Sequence, residues 1–152
     1  MRPAKLAVAA HHPYSVGLNT SGGETTNPLW TSEISNEAFG QAIREAITEN
    51  GLFRSVVSVG QADYLLEVTL INVDKPMAGL DLTANVTVSW KLTRVATHKI
   101  VFQSVVSKSY TATMGDALVA IKRLRLAEEG AARESIQEGL LRLSRLQLTG
   151  TE

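Results

Sequence analysis

From Leu82 to Thr93 the chain alternates without interruption. Leu82, Ala84, Val86, Val88, Trp90 and Leu92 are apolar, and Thr83, Asn85, Thr87, Ser89, Lys91 and Thr93 between them are polar. Successive side chains of a β-strand point to opposite faces, so this run specifies a strand with one dry side and one wet side. Such a strand belongs to an antiparallel sheet covered on one face, because strands buried on both faces read as continuous apolar runs. The rest of the chain must supply one apolar layer.

Two segments can supply it. After Ser32, a suitable N-cap, Ile34, Ala38, Phe39, Ala42, Ile43, Ala46 and Ile47 recur at three- and four-residue spacing, and Asn50-Gly51 stops the helix because glycine takes the left-handed C′ conformation without a Cβ clash. From Ala117 to Leu148 helix formers dominate, with Asp116 as the expected N-cap. The stripe of Ala117, Ile121, Leu124 and Ala131 has rotated by Ile136, Leu140 and Leu143, and Gly130 marks an expected bend or break.

The remaining extended segments run over 5–10 and 14–18, over 54–59 as an edge piece, from Tyr64 to Val73, and from Lys99 to Thr113 after a turn at 94–98. In the third of these Tyr64, Leu66, Val68 and Leu70 share one face, while Leu65 and Ile71 make the other partly apolar. A long loop covers 19–28, and Lys75-Pro76-Met77-Ala78-Gly79 separates two strands. The expected fold is α+β: a two-layer sandwich, with an antiparallel sheet of about four strands, two helices packed on one face and Trp90 buried between the layers. It forms one domain over residues 1–152.

Composition sets the chemistry aside. The 152 residues contain no cysteine, which removes disulfides, thiolate metal sites and cysteine nucleophiles together. Fifteen basic groups balance fifteen acidic ones, but unevenly: residues 1–90 hold 5 basic and 9 acidic groups, and residues 91–152 hold 10 and 6. A basic C-terminal half can bind nucleic acid, yet here Glu128, Glu129, Glu134 and Glu138 interleave with the cations, as on a solvated helix face. No nucleic-acid partner is expected. No segment has the roughly 18–20 apolar residues of a membrane-spanning helix, and the apolar run after Met1-Arg2-Pro3 is too short for a signal peptide. That start reads as a cytoplasmic beginning or as one that follows a removed leader.

No catalytic, cofactor or metal site is expected. His11 and His12 are adjacent, so on a strand they point to opposite faces, and no metal-ligand spacing accompanies them or His98 in its turn. Replacing all three with alanine is expected to leave the function intact. Asp63, Asp74 and Asp81 lie at strand ends, where aspartate serves turn geometry, and Ser21-Gly22-Gly23 lacks the ending of a phosphate-binding loop. The candidate site is instead the wet face, Thr83, Asn85, Thr87, Ser89, Lys91 and Thr93, as a partner-binding surface. Charge reversal at Lys91 together with Thr87→Glu is expected to abolish partner or self-association, with helicity and melting temperature nearly unchanged.

A resemblance adds a setting. Ala62-Asp63-Tyr64-Leu65-Leu66-Glu67-Val68 opens a strand after a capped helix, and Val88-Ser89-Trp90-Lys91-Leu92 leads through a turn to Ile100-Val101-Phe102-Gln103. Over residues 33–112 this order resembles the small lipoproteins of the Gram-negative envelope: YajG-type lipoproteins, the lipopolysaccharide-assembly lipoprotein and auxiliary lipoproteins of lipid-transport systems. The resemblance implies a non-enzymatic domain in the periplasm, lipid-anchored to the outer membrane, without a cofactor. It would contact an envelope protein, a lipid-transport complex or a second copy, and would touch membrane only through its anchor. The lipobox cysteine of such proteins is missing here. The competing reading is a small cytoplasmic ligand-binding domain or enzyme, marked by a pocket of convergent polar groups near His11, His12 and Asp63.

Overall fold

The structure, a computed structural model, describes residues 11–22, 36–74, 81–116 and 118–148. The expectations for segment 5–10, Ser32, Ile34, residues 75–79 and most of loop 19–28 lie outside them. In chain order the elements are β1 (His12–Ser21), α1 (Asn36–Asn50), β2 (Phe53–Val56), a 3₁₀ turn (Val59–Gln61), β3 (Tyr64–Asp74), β4 (Leu82–Arg94), β5 (Lys99–Ala112) and α2 (Ala120–Ser144).

The alternating run is β4, and its six apolar residues are all buried, with Trp90, Val86, Val88 and Leu92 fully so. It pairs antiparallel with β3 and β5, Trp90 standing between Val68 and Ser104. The sheet departs from the expected four antiparallel strands: among the described residues it has five, in the order β2-β1-β3-β4-β5, and is mixed. Strand β1 lies parallel to β2 along its first half and parallel to β3 along its second. The chain passes from one side of β1 to the other by crossing it, and Val16 is the junction, paired with both Val56 and Tyr64.

Gly17 permits that crossing. The 3₁₀ turn lies directly over it, so a Cβ at residue 17 would stand 2.8 Å from the Val59 Cα. The Val57 N–H donates to the Val16 carbonyl, and Ser15 and Asp63 hold the two ends of the crossing together. Glycine inside a strand marks such close backbone approach.

Both helices cover the same face. Helix α1 lies over β1 and β2, with Phe39, Ile43 and Ile47 fully buried, and α2 lies over β4 and β5. The expected break at Gly130 is absent, since α2 runs unbroken for 25 residues. Its two interior glycines are seats for aromatic rings instead. A Cβ at Gly130 would enter the Tyr110 ring, and one at Gly139 the Trp90 ring. Asp116 does not cap α2 either: its carboxylate accepts hydrogen bonds from the Thr113 N–H and hydroxyl, and the N-cap position is Val119.

Candidate interaction surface

The alternation that buries one side of β4 places Thr83, Asn85, Thr87, Ser89, Lys91 and Thr93 together on the other, away from both helices. All six sequence-predicted residues share this face. The register extends it sideways: Thr111, Ser109, Ser107, Val105, Gln103 and Ile100 of β5 stand opposite the six in turn. On the other flank Glu67 faces Lys91 and Thr69 faces Ser89.

Half of the six polar groups are already engaged. The Lys91 ammonium pairs with Glu67 at 2.8 Å, the Thr83 and Thr111 hydroxyls lie 2.6 Å apart, and those of Thr87 and Ser107 3.1 Å apart. Cross-strand pairs like these stiffen a sheet face, so the surface is a set of held hydroxyls more than a set of adaptable ones. Charge reversal at Lys91 would place two carboxylates opposite each other, so the variant expected to be neutral carries a cost of its own. The face is also more apolar than β4 alone implies. Val105 is 56% exposed and Ile100 51%, both directly opposite β4 residues. Alternation along the partner strand was the signal for Val105, whereas Ile100 reaches this face only through the register shift between Leu92 and Thr93, which skips Val101.

The histidines serve the scaffold. The His11 ring bonds the Gly51 carbonyl through Nδ1 at 2.7 Å, and the buried His12 ring bonds the Leu143 carbonyl near the end of α2 through Nε2 at 2.9 Å. His98 occupies the β4–β5 turn with φ of 54°, a left-handed conformation tolerated in tight turns. Among the described residues no three His, Asp or Glu side chains gather as a metal site.

Asp63 lines a cleft of about 290 Å³ with Tyr14, Tyr64, Arg94 and Ala96, but neither His11 nor His12 joins it. Its carboxylate accepts from the Ser15 N–H at 3.0 Å and hydroxyl at 3.1 Å, while its own N–H donates to that hydroxyl. The Ser15 N–H holds the Asp63 carboxyl below its ordinary value against a smaller opposing effect of burial, and the Ser15 hydroxyl, Arg54 and Arg94 act in the same direction as the N–H. A carboxylate so committed clamps the crossover and is poorly placed as a general base.

No protein-family model and no curated protein sequence matches the chain. Solved structures do match. Protein XCC0632 of Xanthomonas campestris, from family DUF330, superposes with a TM-score of 0.66 at 10% identity, over 95% of this chain and 89% of that one. The structures that share this fold include bacterial lipoproteins. A minor lipoprotein from Acinetobacter baumannii matches at 0.53 and 10% identity, over 86% and 91% of the two chains. The PelC dodecamer from Paraburkholderia phytofirmans matches at 0.57 and 15%, over 96% and 97%. At such identities the likeness is one of fold.

Proposed function

We propose that this chain is a non-enzymatic envelope lipoprotein domain, periplasmic and anchored to the outer membrane by a lipid upstream of the described residues. It acts as a binding or assembly module through the wet face of its sheet. The observation that carries the reading is a fold shared along most of the chain with structures that include a bacterial lipoprotein, and along nearly all of it with PelC, which is a dodecamer. The face supports it physically: hydroxyl pairs hold it rigid, and Val105 and Ile100 add apolar area that desolvates on contact.

The test is a photo-crosslinking amino acid at Ser89, compared with the same group at Gln137 on the helical layer. A discrete crosslink to an envelope protein from Ser89 alone is the expected result, and it disappears when Thr87 is replaced by Arg. Absence of a discrete product from Ser89, or a native gene whose product stays in the cytoplasm, overturns the reading. The enzyme or ligand-binding alternative retains only the cleft beside Asp63, and Asp63→Asn should leave the crosslink intact.

A further inference from the structure

Among the described residues the exposed large apolar side chains are unevenly placed: Met114, Leu118, Val119 and Leu126 all fall at the start of α2, and Leu118 is the most exposed at 81%. Isolated apolar residues on a surface need no explanation, but a cluster does. The chain is wound closely here. The Arg123 N–H donates to the Val119 carbonyl at 3.1 Å, and the Arg123 guanidinium donates to the Leu118 carbonyl at 2.8 Å. Lys122 precedes Arg125 by three residues and Leu126 by four, so these three exposed side chains are neighbours on the helix surface, with Val119 one turn before them.

Charge gives the cluster a sign. From Ala117 to Ala127 the chain holds three cations and no acid, and of the two acids that follow, Glu128 is buried and Glu129 half-buried. Arg123 is buried, whereas Lys122 and Arg125 face solvent and make no hydrogen bond or ion pair with the described residues. The helix gains nothing from them. Its first turn contains no acid, Val119 offers no side-chain cap, and a cation near a helix N-terminus opposes the partial positive charge there.

We propose that the start of α2 docks on an anionic lipid bilayer, Leu118, Val119 and Leu126 entering the headgroup layer while Lys122 and Arg125 meet lipid phosphates. Charge complementarity selects this occupant: a bilayer offers negative charge above hydrocarbon and needs no matching shape, so it accepts protruding leucines beside unpaired cations. A second copy applied to the same face would set Lys122 and Arg125 against like charges. The contact is also separate from any anchor. The described chain begins beside His12, whose ring bonds the Leu143 carbonyl at the far end of α2, and a helix of 25 residues, about 37 Å long, lies between that end and the cluster. The inference therefore adds to the anchored-lipoprotein reading without resting on it.

The test uses the full chain without a lipid, mixed with vesicles of phosphatidylglycerol and phosphatidylcholine or of phosphatidylcholine alone. Wild type should bind the anionic vesicles at least about tenfold more tightly than the neutral ones, and less tightly as salt is raised. Lys122→Gln/Arg125→Gln should weaken binding about thirtyfold, at roughly fivefold for each cation. Leu118→Gln/Leu126→Gln should weaken it about tenfold or more. Both variants should keep wild-type helicity and melting temperature, because the substituted residues are exposed; if the second melts early, Leu118→Gln alone carries the apolar arm. As the chain has no cysteine, an environment-sensitive dye can be attached after Leu118→Cys or, on the wet face, after Ser107→Cys. Its emission should shift to the blue on vesicles at residue 118 and stay unchanged at residue 107. No preference for anionic vesicles, binding kept by either double variant, or an unmoved dye at residue 118 overturns the proposal. So do vesicles left unbound while the same variants abolish association of the chain with itself or with an acidic protein. None of these results alters the Ser89 crosslink, so failure here and failure of the wet-face reading are distinguishable.

Discussion

Replacing Gly139 with alanine tests the seat of the long helix on the central strand. In an exposed helix the change would stabilise, since glycine costs about 0.8–1.0 kcal/mol relative to alanine. Here the added Cβ would lie under 3.0 Å from carbons of the Trp90 ring, which has no exposure and lies on a strand paired on both sides. Ordinary contact needs 3.4–4 Å, so the helix or the ring must move, and neighbouring α2 residues Ile136, Leu140 and Leu143 are fully buried in the same layer. Overpacking of this kind costs about 1–3 kcal/mol. With the upper part of that range expected for so rigid a site, the propensity gain leaves a net loss of about 1–2 kcal/mol.

For a chain of this length each kcal/mol moves the midpoint by about 2–4 °C, so Gly139→Ala should melt roughly 5 °C lower. The assay is thermal and urea unfolding, followed by circular dichroism and by the emission of Trp90 in a Trp30→Phe background. Gly60→Ala is the control, because a Cβ there meets nothing within 4 Å. Trp90→Phe frees space and should rescue part of the loss, with a coupling of about 0.5–3 kcal/mol in the double-mutant cycle. If Gly139→Ala instead raised the midpoint as an exposed helical glycine would, the seating of α2 on Trp90 would be refuted.

Three further outcomes follow. His12→Ala should cost about 1–3 kcal/mol, because it removes the donor to the Leu143 carbonyl and opens space beside Phe53, and denaturant unfolding measures it; an unchanged midpoint would refute its role in joining β1 to α2. The folded-state pKa of Asp63 lies below its ordinary 3.8, so its contribution is fully present above that value and is lost as pH falls through the folded-state pKa. Acid unfolding of Asp63→Asn should therefore differ most from wild type above that pH and converge with it below, and a difference that grows in acid would contradict the assigned direction. Gly17→Val should be among the most destabilising single changes, since the Val59 backbone crosses at 2.8 Å from where its Cβ would be; a midpoint within a degree or two of wild type would mean that the crossover lies elsewhere.

What could be read from sequence was what short-range periodicity encodes. Period two gave the buried and open faces of β4, and three- and four-residue spacing gave the buried face of α1 with Phe39, Ile43 and Ile47. The mixed sheet was not legible because strand direction depends on the neighbour. The link that fixes it, Ser15 to Asp63, joins residues 48 apart in sequence. Gly17 within the pattern Val16-Gly17-Leu18 was the available clue. The helix glycines failed for a related reason: alone, a glycine in a helix reads as a weakness, and only the partners across the interface, Tyr110 and Trp90, make it a fitted contact.

The same distinction governs the candidate surface. Membership of the wet face follows from alternation, and all six residues lie on that face. Their engagement follows from register, which set Glu67 against Lys91 and Ser107 against Thr87. Once those pairs are made, a partner gains little by competing for hydroxyls and an ammonium that are already satisfied, since exchange of one such bond for another is worth about 1 kcal/mol. Burial of Val105 and Ile100 displaces water without that competition, and both stand opposite β4 residues on the same face. The energetic centre of any docking on this surface therefore shifts from β4 toward β5.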